Sequence, residues 1–307
     1  MKIVFMGTPD FAVPTLLRLL QDGHDVCGVF TQTDKARGRS NTLQPTPVKA
    51  LALEHNIPVF QPKSMKTQEV LDTLQSLSPE LIIVVAYGKI LPKAVLELPK
   101  YGCINVHASL LPKYRGAAPI QWSIINGEAI TGVTTMFMDV GIDTGDMLQK
   151  AETPIAENET AEELHDRLSL MGAQLCSKTI CALQNGTLTR TKQDDSQTCF
   201  APMLTRELSV IDWTHTAFQI HNQIRGLYPW PGTETVFEGK RLKIHASQLA
   251  AGQEGKPGEI LSDAPLVVAC GNATALELTE IQYEGGKRMN VSDFLRGHRM
   301  ESGTILG

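Results

Sequence analysis

Residues 81–86 read LIIVVA, with four β-branched side chains in succession. A run like this has no polar side to turn toward water. As a strand it must be covered on both faces, the situation of a central strand in a parallel sheet. The flanking sequence repeats the theme: apolar runs alternate with helical patterns along the first two thirds of the chain. KIVFM (2–6), DVCGVFT (25–31), IPVF (57–60) and GCINVHA (102–108) read as strands. The stretches 11–21, 48–55, 69–77 and 91–98 read as helices. Such a rhythm predicts a mostly parallel sheet with helices on both faces. Ligands of these sheets bind beyond the carboxyl ends of the strands, so candidate sites belong there.

The pattern is Rossmann-like and continues with a strand at 131–139 and a long amphipathic helix at 160–186. Thr160 and Glu163 form a capping-box pair at the start of that helix, and Asn185-Gly186 supplies the stop. Periodicity is then lost over 187–207. A helix at 214–227 follows, then five short strands at 233–239, 240–248, 258–262, 266–270 and 275–282, whose close spacing predicts a small β-barrel. The expected organisation is a catalytic domain over 1–189, a linker over 190–206 and a barrel domain over 207–307.

Composition excludes more than it selects. A chain of 307 residues with a formal charge of −5 is not a strongly basic nucleic-acid binder, although a local basic patch remains open. The six cysteines form no C-x-x-C pair and read as reduced thiols in a cytoplasmic protein. There is no zinc-ligand spacing, so no metal is expected. The start MKIVFMGTP leads directly into a strand without a signal-peptide pattern, and no apolar run is long enough to span a bilayer. The turn FMGTPDF lacks G-x-G-x-x-G, which argues against a dinucleotide site.

Three features could carry chemistry. Asn105 and His107, two apart at a strand's carboxyl end, project to one face. An uncharged amide donor and an imidazole together can hold a developing oxyanion and manage one proton, as acyl transfer requires. The same two residues also suit a turn cap and a packed histidine. The loop DVGIDTGD (139–146) offers three carboxylates and two glycines, and one carboxylate could orient the imidazole. It could equally be a solvated acidic loop, and its spacing does not fit an EF-hand. The segment TDKARGRSNTLQPTPVK (33–49) sets Lys35, Arg37, Arg39 and Lys49 against Asp34 alone and exceeds an ordinary βα connection of about 2–6 residues. It suits phosphate contact, or is simply solvated.

Taken together, INVHASLLPKYRGAAPI and MDVGIDTGDM resemble the formyltransferase family that uses 10-formyltetrahydrofolate. MGTPDFA, GVFTQTDKARGR, VVAYGKILPKAVLELP and IRGLYPWPG extend the resemblance over essentially the whole chain. It implies an open, OB-like barrel at the C-terminus and catalytic roles for Asn105, His107 and Asp143. It also implies a folate cleft walled by Ser109, Leu110, Leu111 and Pro112, with the backbone around VVAYG (84–88, including Val85, Tyr87 and Gly88) and the 139–145 loop at the pterin edge. The cosubstrate would be 10-formyltetrahydrofolate, as formyl donor. The branch resembled most formylates methionine on initiator tRNA. That implies a monomer whose basic loop meets the acceptor stem through Lys35, Arg37 and Arg39. The C-terminal region 206–307 carries ten Lys and Arg against twelve Asp and Glu, so any RNA contact there must be a local strip, for which GKRLKIH (239–245), with Lys243, and GGKRM (285–289) are the candidates. The catalytic trio alone leaves open a small-amine acceptor, such as glycinamide ribonucleotide or an amino-sugar nucleotide, or hydrolysis of the formyl-folate.

Overall fold

The computed structural model describes residues 1–37, 42–252 and 254–307, and the chain divides into two compact units. The first comprises Met1–Gly116, Thr131–Thr153 and His165–Phe200; the second comprises Ala117–Ile130, Pro154–Leu164 and Ala201–Gly307.

The first unit is built on a seven-stranded sheet. Its strands are β1 (Lys2–Gly7), β2 (Asp25–Phe30), β3 (Val59–Phe60), β4 (Leu81–Val85), β5 (Cys103–His107), β6 (Ile130–Phe137) and β7 (Met147–Pro154), in the spatial order β7-β6-β5-β4-β1-β2-β3. β1 pairs in parallel with both β2 and β4, β2 with β3, and β4 with β5, whereas β6 runs antiparallel to β5. All five residues of β4 are buried, as the apolar run requires. Helices α1 (Val13–Gln21), α2 (Pro47–Glu54), α3 (Gln68–Leu77) and α4 (Lys93–Leu96) fill the connections. α4 is shorter than the expected 91–98 because Pro92 caps its start and Pro99 follows its end. β7 escaped the sequence reading: five of its eight residues are half-buried or exposed, a pattern that an edge strand tolerates.

Helix α6 (Ala161–Gln184) begins and ends as its sequence specifies. Thr160 N–H donates to the Glu163 carboxylate at 2.8 Å, and Glu163 N–H donates to Thr160 Oγ1 at 3.3 Å. At the far end Gly186 takes φ +67° while Thr187 N–H reaches the Ala182 carbonyl and Gly186 N–H the Leu183 carbonyl, the Schellman arrangement.

The second unit contains α5 (Pro119–Ile125), α7 (Ala217–Gly226) and α8 (Val291–Phe294) with a six-stranded antiparallel, barrel-like sheet. Its strands are β8 (Thr233–Phe237), β9 (Lys240–Ala250), β10 (Ile260–Asp263), β11 (Leu266–Cys270), β12 (Thr274–Tyr283) and the short β13 (Met289–Asn290). Register shifts in β9 around Ala246 bend the long β9–β12 pair. Trp213, Ile220, Phe237, Leu242, Leu276 and Phe294 belong to the core beneath it.

Candidate active site

Alternation along β5 turns Ile104 and Val106 to one face of the sheet and Asn105 and His107 to the other. Val106 meets α6 where a glycine allows it: a Cβ on Gly172 would lie 2.9 Å from Val106 Cγ1. Asn105 is 9% exposed and His107 6%. Among the described residues no group hydrogen-bonds the Asn105 side-chain amide.

His107 is held from both sides. Its Nε2 lies 2.9 Å from the Tyr114 carbonyl oxygen. A carbonyl only accepts, so Nε2 carries the hydrogen. Its Nδ1 faces Asp143 Oδ2 at 3.6 Å. That oxygen also accepts from Gly116 N–H at 2.9 Å. The acidic loop of the sequence therefore reaches the imidazole, and Asp143 is the carboxylate that does so. Asp143 has a side chain 17% exposed, which makes it the trio's opening to solvent.

The loop is pinned where it leaves β6. Phe137 N–H donates to the Asp146 carbonyl at 2.9 Å, and any side chain at Gly145 would collide with the Phe137 carbonyl, its Cβ 1.8 Å away. Asp143 sits at φ +53°, a left-handed conformation that a non-glycine residue keeps only when its surroundings impose it. Gln193 contributes to that restraint: its Nε2 donates to the Asp143 and Gly145 carbonyls at 2.7 and 2.8 Å. Sequence reasoning missed Gln193 because 187–207 carries no periodicity. It also missed the Tyr114 carbonyl, since backbone contacts leave no mark on residue type. Arg115, without a role in the sequence reading, is buried and donates to Gln193 Oε1 at 2.9 Å and to Asp195 Oδ1 at 2.8 Å.

The segment expected to wall the cleft is anchored firmly. Ser109 Oγ donates to the Lys113 carbonyl at 2.7 Å, and Thr134 Oγ1 donates to the Ser109 carbonyl at 2.7 Å while accepting from Leu111 N–H at 3.1 Å. Leu111 packs with Met136 and Met147. The Ser109 and Leu111 side chains are thus turned inward, leaving Leu110 and Pro112 half-buried. Val85 and Tyr87 are likewise core residues; the Tyr87 hydroxyl donates to Met65 Sδ at 3.1 Å, and burial pushes its phenol well above the usual range. Exposed backbone remains at Ala86 and Gly88, while Val140 and Ile142 expose large apolar side chains beside Asp143.

At the base of the basic segment Lys49 Nζ meets Asp34 Oδ2 at 2.6 Å and Gln61 Oε1 at 2.8 Å. The Lys49 bond first, and Gln61 Nε2 donating to Asp34 Oδ1 at 2.7 Å second, hold the Asp34 carboxyl below its ordinary value. Lys49 and Asp34 cancel, so the surplus charge of 33–49 rests on Lys35, Arg37 and Arg39. Lys35 is exposed on a short ribbon in which Lys35–Arg37 pairs with Thr42–Gln44. Arg37 enters the description through its backbone alone, and Arg39 lies outside the described residues. In the second unit Lys243 is half-buried on β9, opposite Glu234 of β8 and Gln282 of β12. Among the described residues no His, Cys, Asp and Glu cluster could hold a metal ion, and no helix is long and apolar enough to cross a membrane.

Comparison with known proteins matches residues 1–180 to the family described as Formyl transferase and residues 203–299 to Formyl transferase, C-terminal domain. A methionyl-tRNA formyltransferase of Geobacter sulfurreducens is 52% identical, aligned over 100% of this chain and 97% of its own. One of Alkaliphilus oremlandii is 53% identical over 100% of both. Among solved structures, an N-formyltransferase of Helicobacter canadensis in complex with folinic acid and dTDP-3-aminofucose superposes with a TM-score of 0.67 at 22% identity, covering 91% of this chain and 98% of that one. HypX of Aquifex aeolicus in complex with tetrahydrofolic acid gives a TM-score of 0.61 at 17% identity, over 99% of this chain and 51% of that one. At such identities the two structures speak for the fold.

Proposed function

Because this chain belongs to the formyl transferase family, we propose that it transfers the formyl group of 10-formyltetrahydrofolate to the α-amino group of methionine on initiator methionyl-tRNA, giving N-formylmethionyl-tRNA. The observation that carries the chemistry is the Asn105 amide, with no described partner on a residue only 9% exposed, on the same strand face as an imidazole backed by Asp143 at 3.6 Å. The acceptor is supported by identity of 52–53% along the full chain to relatives named for methionyl-tRNA.

In this reading residues 1–189 carry out the transfer and residues 207–307 hold RNA, joined by 190–206, in a cytoplasmic monomer. The folate brings the one-carbon unit at the formyl oxidation level. The residues present fit it: a flat ring edge suits the exposed backbone at Ala86 and Gly88, and its apolar face suits Val140 and Ile142. Leu110 and Pro112 close the cleft, on a loop held in shape by Ser109 and Leu111.

Asn105 donates to the formyl oxygen as that oxygen becomes negative under attack by the neutral amine. His107, its Nε2–H committed to Tyr114, exchanges its proton at Nδ1 and adds positive charge beside the oxyanion. Asp143 orients that nitrogen and, as the most exposed of the three, takes up the proton the amine gives up and passes it on to the departing donor nitrogen. A bond forms between amine nitrogen and formyl carbon, the bond from that carbon to the donor nitrogen breaks, and the amine's proton ends on the donor. Neither partner is oxidised or reduced.

The test supplies 10-formyltetrahydrofolate labelled in its formyl group, together with charged initiator tRNA, free methionine or a small amine such as an amino-sugar nucleotide. Label on methionyl-tRNA alone is the expected result. Label on the small amine, or released formate regardless of acceptor, would replace the proposed acceptor with a small molecule or water.

A further inference from the structure

We propose that Arg115 and Gln193 are positioning residues for formyl transfer, together holding Asp143, and through it His107, in register with Asn105. The inference rests on the catalytic reading of those three residues and adds two that touch none of the reacting atoms.

Gln193 uses its whole amide. Both hydrogens of Nε2 go to backbone carbonyls of the acidic loop, at Asp143 and Gly145, so the amide grips the loop at the residue whose left-handed backbone sets the direction of its carboxylate. Its Oε1 accepts from Arg115 Nε. That last bond settles the amide's orientation: were the group turned over, oxygen would face two carbonyl oxygens and the NH₂ would face a guanidinium, both repulsive. Arg115 is therefore what keeps the donor end of Gln193 on the loop. The same short stretch acts a second time, because the next residue, Gly116, gives its N–H to Asp143 Oδ2. One segment thus fixes the loop's backbone through a side chain and its carboxylate through the main chain.

The alternative is that Arg115 simply pairs with Asp195. The Asp195 side chain is 84% exposed, and a pair with so solvated a partner stabilises little. Arg115, by contrast, has a side chain only 5% exposed, a placement that the contact with Gln193 explains and the one with Asp195 does not.

The decisive variant is Gln193→Glu, which keeps an acceptor for Arg115 but has nothing to donate to the two carbonyls. It is expected to fold with an unchanged melting temperature, to lose about tenfold to a hundredfold in kcat, and to leave KM for donor and tRNA within about twofold. Arg115→Ala should fall in the same direction and Arg115→Lys recover part of the loss, while Asp195→Ala should keep full kcat. In an Asp143→Ala background, Gln193→Glu should cost nothing more, since it acts through the missing carboxylate. Full kcat in Gln193→Glu, or an undiminished second loss in the double variant, would overturn the proposal.

A crystal structure of Gln193→Glu decides the point independently of the acceptor. The proposal requires the Asp143 carboxylate to leave the Gly116 N–H, and a carboxylate still seated there would refute it. If the wild-type protein formylated no methionyl-tRNA, the acceptor assignment would fall while this structural comparison still stood.

Discussion

Asn105 and His107 share a face because they are two apart on a strand, and this much was legible from residues 102–108 alone. Their carboxylate partner was legible by kind from the acidic loop and by member only through the family resemblance, which points to Asp143; of the three carboxylates, Asp143 is the one that faces the imidazole. Asn105→Ala and His107→Ala are each expected to lower kcat about 10²–10³-fold, the usual effect of removing one oxyanion donor, with donor affinity little changed. Steady-state kinetics paired with donor binding measures this, and near-full kcat in either variant would remove that residue from the chemistry. The side chains of Ser109 and Leu111 point into the core, which their place in a ligand-binding segment does not reveal; those of Val85 and Tyr87 do so too, as suits a stretch read as offering its backbone. Arg115 and Gln193 were opaque for a related reason. Their contacts join residues 78 apart and 50 apart in sequence, and neither residue type is distinctive at such a distance.

At the level of elements, the sheet was readable wherever both faces are buried and unreadable at its edge, which is why β4 stood out and β7 did not. α6 was readable to its caps. Its contact with the site was not, because it depends on the absence of a side chain at Gly172. A methyl group there would gain helix propensity of about 0.8–1 kcal/mol. It would also press on Val106 from 2.9 Å, and overpacking of this kind typically costs about 1–3 kcal/mol. Gly172→Val should therefore lower the melting temperature and also kcat, because Val106 sits between Asn105 and His107 and cannot yield without moving both. Gly186→Ala, at a left-handed position with nothing within 4 Å, should cost stability only. Melting curves and kcat for the two variants separate these effects, and a Gly172→Val protein with unchanged kcat would refute the coupling.

For the molecule as a whole, two field effects are measurable. His24, His221 and His245 are all held below their ordinary value of 6.5, in each case chiefly by burial. The folded protein then binds fewer protons than the unfolded chain just below that value, so stability falls as the pH drops through about 6.5. Asp34 and Glu280, lowered by their bonds to Lys49 and Arg288, add a further loss only as the pH nears the carboxylate range. Melting temperatures between pH 7.5 and 5.5 should decline, and His221→Gln should flatten the slope. A net charge of −5 means that RNA is attracted locally and not by the molecule at large. Lys35→Ala, Arg39→Ala and Lys243→Ala are each expected to raise KM for tRNA and to reduce the slope of log KM against log salt by about 0.7–0.9. An untouched KM and slope would exclude that residue from the RNA contact. One consequence concerns the order in which the chain is made. Asn105, His107 and Asp143 all lie within 1–180, yet the amide that holds the Asp143 and Gly145 carbonyls belongs to residue 193. A nascent chain has its three reacting side chains in hand well before the part that steadies them leaves the ribosome. A fragment cut at residue 180 would hold every reacting side chain but lack the Gln193 bonds to the acidic loop, so a fully active piece of the first unit must run past Gln193.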